Sequence, residues 1–114
     1  MVDKLQDADG IFCPNESSTF GMLLALRQAG LAGKKKFVGF DASDQLMEGL
    51  HKKEINALVV QNPTKMGYEG VKAAVAAVKH EKVEPTVDTG VAVVDLTNEK
   101  SPATQEILGN APKA

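Results

Sequence analysis

The chain has no tryptophan and one tyrosine, and aromatic residues make up only 4% of its 114 residues. Its four phenylalanines, Phe12, Phe20, Phe37 and Phe40, lie in apolar stretches and read as core. Cys13 is the single cysteine, which rules out an intrachain disulfide and a cysteine-only metal site. Its neighbours are apolar, so its default role is that of a small buried hydrophobe. An excess of basic charge is also missing. Thirteen Lys and Arg face fifteen Asp and Glu, the net charge is −2 and the pI about 5.6. That balance gives no electrostatic footprint for nucleic acid. The one basic run, Lys34-Lys35-Lys36, reads as a solvated loop between a helix end and a strand. The two histidines, His51 and His80, sit in polar helical surroundings and read as surface residues. No apolar run approaches transmembrane length. The first nine residues are charged and carry no apolar signal region, which leaves the compartment open if the sequence is a fragment.

What is present is an ordinary globular balance, 43% hydrophobic and 25% charged, in a chain long enough for one small domain. Its organising stretch is Lys36-Phe37-Val38-Gly39-Phe40-Asp41-Ala42-Ser43. A short apolar run bounded by turn signals predicts a parallel strand covered on both faces. Asp41 closes it, and Ser43 is placed to cap the next helix. The arrangement occurs three times. Gly10 to Cys13 leads to Pro14-Asn15-Glu16, and Ile55 with Ala57 to Val60 leads to Gln61-Asn62-Pro63. Helices are predicted from about Thr19 to Ala29 with Ser17 or Ser18 as cap, from Asp44 to Lys53, and from Lys65 to His80 with Thr64 as cap. Met1 to Asp9 reads as a helix end or lead-in. After Glu84-Pro85, the β-branched stretch Thr86 to Leu96 reads as a strand with a bend at Gly90. A short helix fits Thr104 to Leu108, and the last residues read as mobile. Strands alternating with helices imply a largely parallel sheet with right-handed crossovers.

In such a sheet Asn15, Asp41 and Gln61 reach one edge, the side on which open α/β sheets bind ligands. Two amides and a carboxylate suit neighbouring hydroxyl groups, because the carboxylate accepts twice and an amide both donates and accepts. Helix capping explains Asn15 and Asp41 equally well; Gln61 is a poor cap and favours a site. A receiver-like or dehalogenase-like phosphotransfer centre needs further acidic residues and a strand-end lysine. Only Glu16 offers help, so an enzyme is not expected. Gly30-Leu31-Ala32-Gly33 follows a helix, the wrong place for a phosphate loop. No cofactor and no metal are expected.

Several segments in order carry a family resemblance: Asp9-Gly10-Ile11-Phe12 with Pro14-Asn15-Glu16; Ala25-Leu26-Arg27-Gln28-Ala29-Gly30; Val38-Gly39-Phe40-Asp41-Ala42; and Val59-Val60-Gln61-Asn62-Pro63 with Met66-Gly67. Together they resemble the C-terminal part of periplasmic sugar-binding proteins, above all the ribose-binding proteins of bacterial ABC transporters, with the type I periplasmic binding fold. The resemblance runs from about Asp9 to Leu96. It implies an α/β, three-layer, parallel-sheet (Rossmann-like) C-terminal lobe, incomplete, with a hinge-crossing helix and strand. Residues 1–63 would be the second half of that lobe (β-α-β-α-β), 64–85 a hinge-crossing helix belonging to the N-terminal lobe, 86–100 the return strand and 101–114 the tail. It implies a monosaccharide ligand such as ribose held by Asn15, Asp41 and Gln61, an ABC permease as partner, and a periplasmic location. The rest of the site would lie in a missing lobe, making this chain about half of a binding protein. The alternative within the same fold is the effector-binding core of a LacI-type repressor. One consequence concerns Val71, Ala74, Val75 and Val78. Without the other lobe they predict a homodimer through the 64–80 helix, or that helix repacked on the sheet.

Overall fold

Each element of the computed structural model, which describes residues 2–109, grows from a local signal. The order is α1 (Val2–Asp7), β1 (Gly10–Phe12), α2 (Glu16–Gln28), β2 (Lys36–Phe40), α3 (Asp44–His51), β3 (Ala57–Gln61), α4 (Pro63–Val78), β4 (Val91–Val94) and α5 (Pro102–Gly109). Asn15 rather than Ser17 or Ser18 caps α2, accepting from the Ser18 N–H at 2.9 Å. Ser43 caps α3 as expected. Asn62, not Thr64, caps α4, and Pro63 fills the first turn, where its missing N–H costs nothing. The expected short helix near Thr104 is α5; the end of the tail, read as mobile, lies outside the described residues.

The sheet order is β1-β2-β3-β4. β1, β2 and β3 are mutually parallel, with Ile11 opposite Phe37 and Gly39 opposite Leu58. β4 runs antiparallel to β3, with Gln61 opposite Val91 and Leu58 opposite Val94. The reason is the path between them. The chain leaves β3 at its carboxyl end, makes α4, and returns to the same end, so it crosses neither face of the sheet. Gly90 makes the final bend at φ +77°, its N–H bound to the Asp88 carboxylate at 2.8 Å.

Both parallel crossovers step in one direction, which puts α2 and α3 on a single face. There Leu23 and Leu26 of α2 and Leu46 and Leu50 of α3 meet Phe37, Leu58, Val60 and Val94 in the core, all essentially without solvent contact. Leu5, Cys13 and Ile55 complete the cluster, and Ile107 and Leu108 of α5 pack against it. The thiol of Cys13 is free, and its burial pushes its pKa up. The pleat sends alternate residues the other way. Phe12, Val91 and Val93 are exposed and Val38, Phe40 and Val59 half-buried, so that face is not closed among the described residues. Of the four phenylalanines expected in the core, Phe37 alone is fully buried.

α4 stands apart. None of its residues is buried. The chain is drawn out to 56 × 31 × 22 Å with a radius of gyration of 17.2 Å, against about 13 Å for a compact body of this length. The helix does not repack on the sheet. Among the described residues no helix is long and apolar enough to cross a membrane.

Candidate functional site

The three polar strand ends come to one edge because β1, β2 and β3 are adjacent and parallel. They are not equivalent. Asn15 spends its side-chain oxygen on capping α2, receiving the Ser18 N–H and, at 3.0 Å, the Ser17 hydroxyl. Its amide nitrogen keeps its donors. Asp41 caps nothing, since Ser43 does that for α3. Its backbone lies in the left-handed region at φ +68°, a conformation Asp tolerates better than most residues but still at a cost of about 1 kcal/mol. The turn is pinned by the Asp41 N–H donating to the Val59 carbonyl at 2.8 Å. The Gln61 amide donates to Asp41 Oδ1 at 3.1 Å. The other carboxylate oxygen has no hydrogen-bond partner among the described residues.

Thr19 ties the first two strand ends together, and sequence reasoning missed it. Its hydroxyl donates to the Asn15 carbonyl at 2.7 Å and accepts the Phe40 N–H at 3.0 Å. It is fully buried over Gly39, where even a methyl group would lie 2.1 Å from Thr19 Cγ2. The absent side chain at Gly39 therefore lets the start of α2 settle onto the end of β2. The signal available in the sequence was a glycine inside an otherwise apolar strand, a mark of close approach.

Asn15 and Asp41 line one open cleft of about 590 Å³ with Glu16, Ser17, Phe20 and Gln45. Gln61, the third predicted site residue, does not line it and touches it only through its bond to Asp41. Gln45 was also missed; it lies in the first turn of α3, directly after the Asp41 turn. No cationic side chain lines the cleft. Its carboxylates, amides and hydroxyl make it a surface for hydroxyl groups rather than for anions. No cluster of three or more His, Cys, Asp or Glu able to hold a metal ion occurs among the described residues.

Comparison with known proteins identifies the family. The model of the periplasmic binding protein domain family matches residues 1–82. The D-allose-binding periplasmic protein of Escherichia coli is 35% identical over 85 residues, 75% of this chain and 27% of its own length. The ribose import binding protein RbsB of Haemophilus influenzae is 31% identical over 88 residues, 77% of this chain and 30% of its own length. An ABC transporter solute-binding protein from Agrobacterium vitis with bound D-fucose superposes with a TM-score of 0.83 at 38% identity, over 93% of this chain and 38% of that one. A carbohydrate transporter solute-binding protein from Agrobacterium radiobacter in complex with D-arabinose gives a TM-score of 0.79 at 39% identity, over 86% of this chain and 33% of that one. The chain thus spans about a third of such proteins, less than the half expected from its motifs. With the family model covering most of its length, the chain belongs to the periplasmic binding protein domain family.

Proposed function

We propose that this chain forms part of the C-terminal lobe of a solute-binding protein serving ABC-type sugar uptake, and that it presents one wall of a monosaccharide cleft. The parent protein would be periplasmic, non-enzymatic and partnered by an ABC permease. The observation that carries the reading is the triad of strand ends, in which Asp41 is held in a strained turn, freed from capping, and bonded to Gln61 beside Asn15. Asp41 accepts hydroxyl hydrogens, and the amides of Asn15 and Gln61 donate to hydroxyl oxygens. The names of the similar proteins, which are import and periplasmic binding proteins, favour this over a LacI-type repressor core.

Residues 1–63 belong to one lobe in this reading, 64–85 cross to the other, and 86–100 return. The antiparallel β4 and the unburied α4 support it, because both are what an excursion away from the sheet requires. Ribose or a related monosaccharide then meets only one wall here. Isolated, the chain binds weakly, since the opposing contacts and the exclusion of water by closure are missing. Titration of the 114-residue chain with ribose and with D-allose, followed by amide chemical shifts, tests this. We expect dissociation constants in the millimolar range or weaker, shifts centred on Asn15, Asp41 and Gln61, and their loss in Asp41→Asn. Micromolar binding would overturn the one-wall reading; shifts that ignore Asp41→Asn would overturn the site. We further propose that the isolated chain self-associates through α4, whose apolar side is uncovered among the described residues.

A further inference from the structure

The open cleft lies between the starts of two helices. Glu16 and Ser17 line it from the first turn of α2, Gln45 from the first turn of α3, and Asp41 from the end of β2. Phe20 is half-buried where Glu16 and Gln45 are exposed, so its ring forms the floor of a notch between them. Contacts within this chain fix both walls. Phe20 follows Thr19, which is seated over Gly39, and packs against the core. Glu16 lies one turn before Phe20 on the same side of α2. Gln45 lies two residues after Ser43, whose buried side chain caps α3. Neither Glu16 nor Gln45 is spent on capping, since Asn15 and Ser43 do that. Gln61 holds one oxygen of Asp41 but does not line the cleft, so the notch opens on the side of Asp41 turned toward the helices.

We infer that this notch is a subsite for an exocyclic hydroxymethyl group, so that the wall favours hexopyranoses over pentoses. The inference rests on the sugar-wall reading above and narrows its ligand. The ring hydroxyls are met by Asn15, Asp41 and Gln61 at the sheet edge. A ring substituent that projects past Asp41 toward α2 and α3 then enters the notch. A hydroxymethyl group has two parts with opposite needs. Its methylene gains by leaving water for an apolar surface, and Phe20 is the aromatic side chain of the lining. Its hydroxyl has one hydrogen to give and lone pairs to share. The Glu16 carboxylate accepts that hydrogen from one wall, and the Gln45 amide donates to the oxygen from the other. A carboxylate or phosphate in the same place would meet Glu16 and Asp41 and no cation, so acidic sugars do not suit it. A pentose carries only hydrogen at that ring carbon and gains nothing from the notch.

D-Allose and D-ribose make a matched pair of probes. In the pyranose form they carry the same ring hydroxyls, and D-allose adds the hydroxymethyl group. The full chain, titrated with each and followed by amide chemical shifts, should bind D-allose more tightly by on the order of tenfold, the worth of one small group in a site that fits it. D-Allose should move the Gln45 side-chain amide signals, and D-ribose should leave them in place. The analogue of D-allose whose exocyclic group is a methyl should fall between the two. Gln45→Ala should lower the ratio of D-allose to D-ribose affinity toward that of the methyl analogue, and adding Glu16→Ala should complete the loss. A ratio near one, a ratio that ignores Gln45→Ala, or Gln45 signals that answer both sugars alike would overturn the notch. It would leave the wall reading standing as long as both sugars still shift Asn15, Asp41 and Gln61. If neither sugar shifts those three, the wall reading itself falls, and the notch with it.

Discussion

Replacing Gly39 by alanine tests how the strand ends are held. The added methyl would lie 2.1 Å from Thr19 Cγ2, 2.9 Å from its Oγ1 and 3.1 Å from its Cβ. Thr19 cannot turn away cheaply. It is fully buried, and its hydroxyl both donates to the Asn15 carbonyl and accepts the Phe40 N–H. Either the rotamer changes and two hydrogen bonds are lost, or α2 lifts from β2. Overpacking of this kind costs about 3 kcal/mol, offset by about 0.5 kcal/mol because alanine restricts the unfolded chain. A net loss of about 2–3 kcal/mol is large against the ~5–15 kcal/mol of a typical domain. Thr19→Ser removes Cγ2 and keeps the hydroxyl, at a cost of about 1 kcal/mol for one buried methyl. The double variant should then be more stable than the sum of the two changes predicts by about 1–2 kcal/mol, the signature of residues in contact. Urea unfolding at one fixed protein concentration measures all four proteins. Gly39→Ala within about 0.5 kcal/mol of wild type, or additive losses in the double variant, would refute the idea that the missing side chain at Gly39 seats Thr19 and hence Asn15.

Two further outcomes follow from the same geometry. Arg27 donates twice to Glu54, at 2.9 and 2.8 Å, and holds the Glu54 carboxyl below its usual range. A depressed carboxyl pKa contributes stability that is present above the unfolded value near 4.3 and is lost as pH falls through the folded one. Arg27→Met should therefore cost up to about 1 kcal/mol at pH 7, modest because the pair is partly exposed, and about nothing near pH 2. An equal loss at both pH values would show that packing, not charge, sets the effect. At Asp41 the positive φ reverses the usual order of alanine and glycine. Asp41→Gly should be more stable than Asp41→Ala by about 1 kcal/mol by thermal or urea unfolding, and an alanine variant as stable as the glycine would deny that the turn is strained.

The sequence by itself carried the alternation of strands and helices and the three polar strand ends, because apolar runs and turn residues act locally. It also carried the family, through motifs that lie in order along the chain. It could not divide the roles of Asn15, Asp41 and Gln61. Capping and ligand binding use the same residue types, and only the positions of Ser43, Ser18 and Asn62 relative to the helix ends showed that Asn15 is engaged as a cap while Asp41 is not. Thr19 escaped notice because its partners, Gly39 and Phe40, are distant in sequence. The burial of Phe12 and Phe40 was overestimated for a related reason. Hydrophobicity says that a side chain is suited to a core, but the pleat and the placement of α2 and α3 decide which face of the sheet receives one. Likewise α4 reads from its residues as an ordinary amphipathic helix. Whether its valines meet the sheet depends on where the chain goes after Gln61, and that was settled by β4 returning antiparallel to the same end of the sheet.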